Sequence, residues 1–560
     1  MISIIRKKLG DLLVDVGKIS KEQLIEALDE QKKSENKLGE ILVRDGYVSE
    51  KDIIQVLEYQ YGIPYVDLDK YFIDPNTTSL ISEKLAKKHT LIPIKKTGNT
   101  ILVSMLDPLN LFAIDDVEIA TGLKVQPAIS TKSDILRLID NYYGKQSAEK
   151  AVEDFKKQYN VKDFDNIDEQ VLNDINNAPV VRLVNSIIRQ AIKARASDIH
   201  IEPFESRVRI RFRIDGNLQE IMTPSKSTHS AIITRIKIMA NMDIAEKRLP
   251  QDGRVEIKQG DTDVDLRISI LPTVFGEKIV IRLLDRNNFI KSKYDLGLSH
   301  NNIIKFSDML KNPHGIILIS GPTGSGKTTT LYTILKELNT INKNLITVED
   351  PVEYSLDGIN QVQVNSKIGL NFADGLRSIL RQDPDIIMIG EIRDTETAQI
   401  AVRAAITGHL VISTIHTNDA PSTITRLIDM GIKPYLISGS VVSIVAQRLV
   451  RKICPVCKVK YKPDEYEMKT LDIDKNTFLY KGKGCSKCYN TGYIGRTGIH
   501  EIMYIDNEIR NLIDNKSSIT TVRLKAKEKG MISLIENCKE LVLKGITTID
   551  ELSRITYMME

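Results

Sequence analysis

Apolar side chains fall at helical spacing through the first sixty residues, and the spacing repeats. Lys8-Leu9-Gly10-Asp11-Leu12-Leu13 opens one unit that closes at Gln31, and Lys37-Leu38-Gly39-Glu40-Ile41-Leu42 opens a second that closes at Gln60. Between the two recur Gly17 and Gly46, Ile19 and Val48, Ser20 and Ser49, Leu24 and Ile53, Leu28 and Leu57. Each unit reads as a helix, a glycine turn and a second helix capped by Ser20 or Ser49, with Glu22 and Lys51-Asp52 in the following first turns. A duplication of this quality marks a structural unit.

From about residue 65 to 145, short strands alternate with helices, Thr100–Met105 and Lys132–Tyr143 among them. The stretch Gln146–Asn177 is polar and acidic and reads as a linker or marginal helix. Pro179–Arg195 has the pattern of a long amphipathic helix. Arg207–Arg213 (RVRIRFR) alternates apolar and basic residues with period two, a half-buried strand that turns at Asp215-Gly216. Val264–Ile270 and Lys278–Leu284 predict two more strands of an α+β domain ending near Arg286. Beyond Leu296, the apolar runs Gly315–Ser320, Asn344–Val348, Ile386–Gly390 and Leu410–Thr414 alternate with helices, the signature of a mostly parallel sheet flanked by helices. The expected domains are 1–145, a linker 146–177, an α+β domain 178–290 and an α/β domain 291–560.

A chain of 560 residues is too long for one core. Its 42% hydrophobic and 27% charged content is ordinary globular composition. Lys and Arg number 78 against 74 Asp and Glu, a net charge of +4 that asks for no polyanionic partner. No uncharged apolar run approaches the roughly 18 residues that span a bilayer. The most apolar stretch, Tyr435–Ala446, is shorter and holds serines and a glycine, and the start MISIIRKKLGDLL has no signal-peptide pattern. The expectation is a cytosolic chain that meets membranes only through partners.

Gly321-Pro322-Thr323-Gly324-Ser325-Gly326-Lys327-Thr328-Thr329 contains G-x-x-x-x-G-K-[ST], follows an apolar strand and opens a helical run, the context that confirms a phosphate-binding P-loop. Glycines let backbone N–H groups turn toward phosphate oxygens at a helix N-terminus. Lys327 is expected to neutralise the β- and γ-phosphates of ATP and the Thr328 hydroxyl to ligate Mg²⁺. Acids end two further strands: Glu349 and Glu353 in ITVEDPVE, and Glu391 in DIIMIGE. Carboxylates at the carboxyl ends of parallel strands lie where nucleotides bind. One of them can orient or deprotonate the attacking water, and another can hold Mg²⁺ through water. His409 and His416 flank the strand LVISTI and are read as bordering the same crevice, to sense γ-phosphate or position water.

Four of the five cysteines form the pairs Cys454/Cys457 and Cys485/Cys488, each C-x-x-C. Four thiolates at that spacing fit a closed, structural Zn²⁺ site that clamps the polar run between Tyr461 and Tyr480 onto the rest of the domain. Cys538 falls in a helical pattern and reads as a small core residue.

Taken together, the P-loop, ITVEDPVEY, RQDPDIIMIGEIRD and GHLVISTIHTNDA resemble the secretion ATPase superfamily of type IV pilus and type II secretion motors. ASDIHIEP (196–203), RLPQDGR (248–254) and LRISILPTVFGEKIVIRLLDR (266–286) extend the resemblance upstream. It implies an α/β RecA-like ATPase domain preceded by a PAS-like α+β domain and a helical-repeat N-terminal domain. It also implies a homo-hexameric ring, Glu391 as the Walker B glutamate, and two arginines, Arg267 and Arg282, carried to the γ-phosphate. The tetracysteine loop is similar to that of pilus-extension and secretion motors.

The N-terminal repeat resembles the tandem cyclic-di-GMP motif of MshE-type domains, with Lys8 and Lys37 where that family places Arg, so that a point charge stands in for a bidentate fork. The resemblance implies Lys8, Leu9, Gly10, Leu13, Gln31, Lys37, Leu38, Gly39, Leu42 and Gln60 as ligand contacts, with docking of a partner protein as the other reading. The implied function is ATP-driven type IV pilus assembly at the inner face of the cell membrane. The implied partners are an inner-membrane platform protein (PilC-like) and a cytoplasmic pilus assembly protein (PilM-like). A type II secretion motor is the alternative within the same class. A nucleic-acid motor would need a basic, aromatic-bearing surface, for which the sequence offers RVRIRFR, and no nucleic-acid partner is expected.

Overall fold

A computed structural model of the protein describes residues 9–31, 38–68, 71, 73, 75–139, 142–143, 179–259, 262–285 and 292–557. The linker read at 146–177 lies outside the described residues. The chain divides into two compact units, Met1–Val255 with Arg267–Leu283, and Glu256–Leu266 with Leu284–Glu560.

Both N-terminal repeats fold as paired helices, α1 (Leu9–Asp15) with α2 (Lys21–Gln31) and α3 (Leu38–Arg44) with α4 (Glu50–Tyr61). The serine caps form in both. Ser20 Oγ accepts from the Gln23 N–H at 3.2 Å while Gln23 Oε1 accepts from the Ser20 N–H at 2.8 Å. Ser49 and Asp52 exchange the same two bonds. Leu13, Ile19, Ala27, Ile41, Leu42 and Val48 make the shared core. A three-stranded sheet follows, β1 (Leu91–Thr97) antiparallel to β2 (Thr100–Met105), which runs parallel to β3 (Lys124–Ile129).

The helix Pro179–Lys193 precedes β4 (Asp198–Pro203), β5 (Val208–Ile214), β6 (Asn217–Met222), β7 (Gln251–Gln259), β8 (Thr262–Thr273) and β9 (Gly276–Asp285), which join in the order β6-β5-β4-β9-β8-β7. The period-two reading of β5 is realised: Val208, Ile210 and Phe212 are buried. Arg209 and Arg211 point to the other face, where both meet Glu202, at 3.0 and 2.8 Å, with Lys278 at 3.2 Å. Burial pushes the Glu202 carboxyl up, but these cations outweigh it and hold the group at about 2. Two of the four arginines of RVRIRFR are thus held by Glu202 within the sheet, and Arg213 lies 3.6 Å from Asp198.

The second unit is built on β10 (Gly315–Ser320), β11 (Leu345–Glu349), β12 (Asn360–Gln363), β13 (Ile386–Ile389), β14 (Leu410–Ile415), β15 (Val441–Ile453), a separate ribbon of β16 (Lys458–Tyr461) and β17 (Leu479–Gly482), and β18 (Tyr493–Tyr504). The main sheet runs β12-β11-β13-β14-β10-β15-β18, parallel throughout except that β18 is antiparallel to β15. Its strands are apolar on both faces because helices cover both: Ile316, Leu318, Ile387 and Ile389 enter one core, and Ile317, Ile319, Ile386 and Met388 the other. Neighbouring residues of β18 are buried in contrasting ways. His500 is wholly enclosed, neither ring nitrogen has a hydrogen-bond partner among the described residues, and burial depresses its pKa to about 3. Glu501 accepts from the Ala420 N–H at 2.8 Å, and burial raises its carboxyl to about 7.

Candidate nucleotide and metal sites

The loop between β10 and the helix Lys327–Leu338 is shaped by close backbone approach. A Cβ on Gly321, whose φ is +148°, would lie 2.6 Å from the Gln447 carbonyl oxygen of β15. One on Gly326, at φ +88°, would lie 2.9 Å from the Gln447 amide nitrogen. Only glycine lets the loop wrap this tightly. The Gln447 side chain is fixed in turn by the Thr330 hydroxyl, which donates to it at 2.7 Å. Ser325 Oγ is buried with no hydrogen-bond partner among the described residues. Lys327 is folded back on its own loop, its Nζ donating to the carbonyls of Gly321 at 2.7 Å and Pro322 at 3.0 Å. Burial pulls its pKa down to about 8, with Glu391 opposing and Arg448 adding to the shift. Phosphate oxygens in place of carbonyls would restore the ammonium charge, so nucleotide binding above about pH 8 takes up a proton at Lys327. An orphaned hydroxyl, a withdrawn lysine and a cradle that excludes Cβ atoms together fit a nucleoside triphosphate, with Pro322, Thr323 and Gly324 exposed along its rim and Thr328 and Thr329 in the first helical turn.

Glu391 follows β13 after the single residue Gly390. Its backbone is pinned by two hydroxyls from β14, Ser413 donating to the Ile389 carbonyl and Thr414 to the Gly390 carbonyl, both at 2.8 Å. The Glu391 carboxylate pairs with Arg393 and lies 3.4 Å from His416 Nε2. Burial and the nearby Lys327 lower the His416 pKa, so its ring is neutral around pH 7.

Glu349 is placed differently. Its carboxylate accepts from the Tyr332 hydroxyl at 2.5 Å, the Thr347 hydroxyl at 2.6 Å and the Gln361 amide at 3.0 Å, and the residue is 3% exposed. The same Tyr332 oxygen receives the Glu353 N–H at 3.2 Å, so this buried network sets the path of the acidic loop, which includes a cis Asp350–Pro351 peptide. Glu353 is half-buried beside it.

The reading that both histidines border the crevice needs correction. β10 and β14 run parallel, with Gly315 opposite Leu410 and Ser320 opposite Ile415. His409 therefore sits at the far edge of the sheet from the P-loop, about 20 Å away along a six-residue strand at roughly 3.3 Å per residue. There its Nδ1 meets the Ala404 carbonyl at 2.9 Å, closing the preceding helix. Only His416 stands with Glu391.

In the first unit, Asp198 on β4 lies in register between Arg213 of β5 and Arg282 of β9. Arg282 donates through Nε to Asp198 at 3.3 Å, its side chain otherwise 62% exposed. Arg267, on β8, is half-buried. In the N-terminal repeats, Gly10 packs where a Cβ would stand 2.4 Å from Leu24, and Gly39 where one would stand 3.3 Å from Ile53. Both glycines thus sit at helix crossings. Leu13 and Leu42 are fully buried, which corrects their reading as ligand contacts: their side chains belong to the core. Leu9, Leu38 and Gln31 are half-buried. Lys8 and Lys37, and the side chain of Gln60, lie outside the described residues.

The four cysteines converge, their sulfurs all within 4.8 Å of one another. Sγ separations are 3.8 Å for Cys454–Cys485, 3.8 Å for Cys457–Cys488 and 3.7 Å for Cys485–Cys488. A tetrahedron with metal–sulfur bonds of about 2.3 Å has edges of about 3.8 Å, which these three separations match, so the donor set suits Zn²⁺. The N–H groups of Cys485 and Gly492 each donate to Cys488 Sγ at 3.2 Å, which favours its thiolate. Leu471 and Leu479, from the segment between the pairs, enter the main core, and Cys538 is buried in it.

Sequence reasoning did not find Arg448, Asp419 or Arg523. Arg448, on β15, is buried and donates to the Asn418 carbonyl and side chain at 3.2 Å. Arg523 pairs with Asp419 at 2.6 Å. Both tie the loop that carries His416 to distant segments, and no local spacing announces such contacts.

A family model described as "Type II/IV secretion system protein" matches residues 173–554, and one described as "MshEN domain" matches 61–149. The chain is 44% identical over 557 residues to the type IV pilus assembly ATPase PilB of Myxococcus xanthus, covering 97% of this chain and 98% of that one. It is 48% identical over 390 residues to the type II secretion system protein E of Pseudomonas aeruginosa, covering 69% and 78%. The X-ray structure of the Legionella pneumophila ATPase DotB superposes with a TM-score of 0.50 at 23% identity, covering 67% of this chain and 95% of that one, a likeness of fold.

Proposed function

The chain belongs to the type II/IV secretion system protein family and is an ATPase, and from that premise we propose that it works as a hexameric ring that drives type IV pilus assembly through an inner-membrane platform protein. The observation that carries the pilus reading is coverage. The pilus-assembly relative aligns over 97% of this chain and 98% of its own, whereas two type II secretion relatives align over 69% and 85% of this one.

In the proposed chemistry, Lys327 leaves the Gly321 and Pro322 carbonyls for the β- and γ-phosphates, and Ser325 and the loop N–H groups complete the cradle. The Thr328 hydroxyl would hold Mg²⁺, which supplies charge neutralisation on the phosphate oxygens. Glu391 takes the proton of the attacking water, with neutral His416 at its second oxygen positioned to orient that water. Glu349 is buried and already accepts three hydrogen bonds. Its three donors make it a positioning residue for the loop that bears Glu353. Arg267 and Arg282 add positive charge to the transferring phosphoryl group, Asp198 gripping Arg282 by Nε and leaving its terminal nitrogens for phosphate. Zinc at the four cysteines is structural.

Deleting the gene tests the pilus assignment. Loss of surface filaments with protein secretion intact is the expected result, and the reverse makes the chain a secretion motor. We also read the N-terminal unit as a cyclic-di-GMP sensor, supported by the tandem repeat at 8–31 and 37–60. Calorimetric titration of the full chain should give selective micromolar or tighter binding over cyclic-di-AMP and GTP. Absence of binding leaves the repeats as a docking module, with the ATPase chemistry untouched.

A further inference from the structure

Arg448 takes no part in the chemistry above, and its placement is costly. It is 4% exposed, its Nε is buried without a hydrogen-bond partner, and no carboxylate pairs with it directly among the described residues. What it grips is neutral: the backbone and side-chain carbonyls of Asn418, both 3.2 Å from the same terminal nitrogen. Burial lowers its pKa, with the field of Asp419 opposing the shift. An apolar side chain of similar volume would fill the space at less cost, and charges enclosed in this way gather at functional sites.

Asn418 stands two residues after His416, in the turn that leads from β14 into the helix Ala420–Asp429. Three holds from outside fasten this turn. Arg448 takes Asn418, Arg523 pairs with Asp419 at 2.6 Å, and Glu501 accepts the Ala420 N–H at 2.8 Å. The Thr417 hydroxyl bonds within the segment itself, to Thr423 at 2.7 Å and to the Asp419 carbonyl at 3.3 Å. Among these outside anchors, Arg448 is therefore the one nearest in sequence to His416, whose own side chain is exposed.

Arg448 also adjoins Gln447, which braces the P-loop: the Thr330 hydroxyl donates to its side chain at 2.7 Å, and Gly321 and Gly326 close against its backbone and side chain. Successive side chains of a strand point to opposite faces. Two consecutive residues of β15 thus touch the phosphate loop on one side and the His416 turn on the other. We propose that Arg448 is a positioning residue for ATP hydrolysis, holding His416 at Glu391 through Asn418. The inference rests on the orienting role given to His416 above and names what keeps that ring in place. A misplacement of about 1 Å can cost about 10²-fold in rate. The loss falls on kcat, because the nucleotide is held by the P-loop.

The test measures ATP turnover and equilibrium nucleotide binding on the full-length chain carrying Arg448→Met, Asn418→Ala or His416→Ala, and on each of the first two combined with His416→Ala. Arg448→Met is expected to lower kcat about 10- to 100-fold with nucleotide affinity within about threefold of wild type. Asn418→Ala keeps the backbone carbonyl and should lower kcat about fivefold. On the His416→Ala background neither substitution should lower kcat further by more than about twofold, because the group they position is gone. Wild-type kcat in Arg448→Met overturns the proposal. A His416→Ala enzyme that turns over like the wild type removes the role of His416, and the inference falls with it. A crippled His416→Ala enzyme that Arg448→Met slows by its full factor again refutes the inference alone. Should Arg448→Met fail to fold, Asn418→Ala decides by the same comparison, since Asn418 is exposed: an unchanged kcat, or a loss that persists without His416, counts against the proposal.

Discussion

Glu391→Gln lowers kcat for ATP hydrolysis about 10²- to 10⁴-fold while nucleotide affinity stays within a few-fold of wild type. The substitution keeps the shape of the side chain and the backbone pinned by Ser413 and Thr414. What it removes is the ability to accept a proton. The Arg393 guanidinium then faces an amide, but Arg393 is largely exposed, and water takes over its solvation. The contrast is Glu349→Gln, which strands a donor from Tyr332 or Thr347 inside a buried network and should act first on folding, by about 1–3 kcal/mol for one unsatisfied group. Steady-state phosphate release, measured beside equilibrium binding of a fluorescent nucleotide, separates the two variants. A Glu391→Gln enzyme that turns over within twofold of wild type would remove Glu391 from the role of base.

Removing the metal is the second large effect. Cys485→Ser should abolish zinc binding, lower the thermal midpoint of the ATPase unit by at least about 5 °C, and open the chain between Lys458 and Gly482 to protease. The segment has little else to hold it. β16 and β17 pair only with each other, and the packing of Leu471 and Leu479 against the main core depends on both cysteine pairs fixing the ribbon's base. Metal analysis of the purified protein with calorimetric melting checks this. A zinc-free wild type, or a serine variant that melts with it, would show that the four sulfurs converge without a structural ion.

Much of this site was legible in the sequence because its signals are local. Glycines, lysine and threonine at fixed offsets define the P-loop, and an acid closing an apolar run marks a strand end. Two cysteine pairs announce a tetrahedron, and period-two burial gives β5. The errors came where the answer depends on which elements meet. His409 and His416 are equivalent in sequence, one at each end of a strand, and only the parallel register of β14 with β10 tells which end faces the loop. Glu349 resembles Glu391 until Tyr332, Thr347 and Gln361 are seen to hold its carboxylate in a buried network. The pairing of β15 with β18 spans some fifty residues, including the metal segment, and nothing local declares it. Leu13 and Leu42 recur in a motif, but recurrence marks a core position as readily as a contact.

The contrasting burial of His500 and Glu501 gives the ATPase unit a compensated proton balance. His500 binds its proton less readily folded than unfolded, so between about pH 3 and 6.5 its contribution makes stability rise with pH. Glu501 holds its proton more firmly folded, so between about pH 4.5 and 7 its contribution makes stability fall with pH. Where the windows overlap, the two slopes oppose each other. Adjacent residues on one strand therefore offset each other, so that their joint contribution to fold stability changes less through mild acidification than either group's alone.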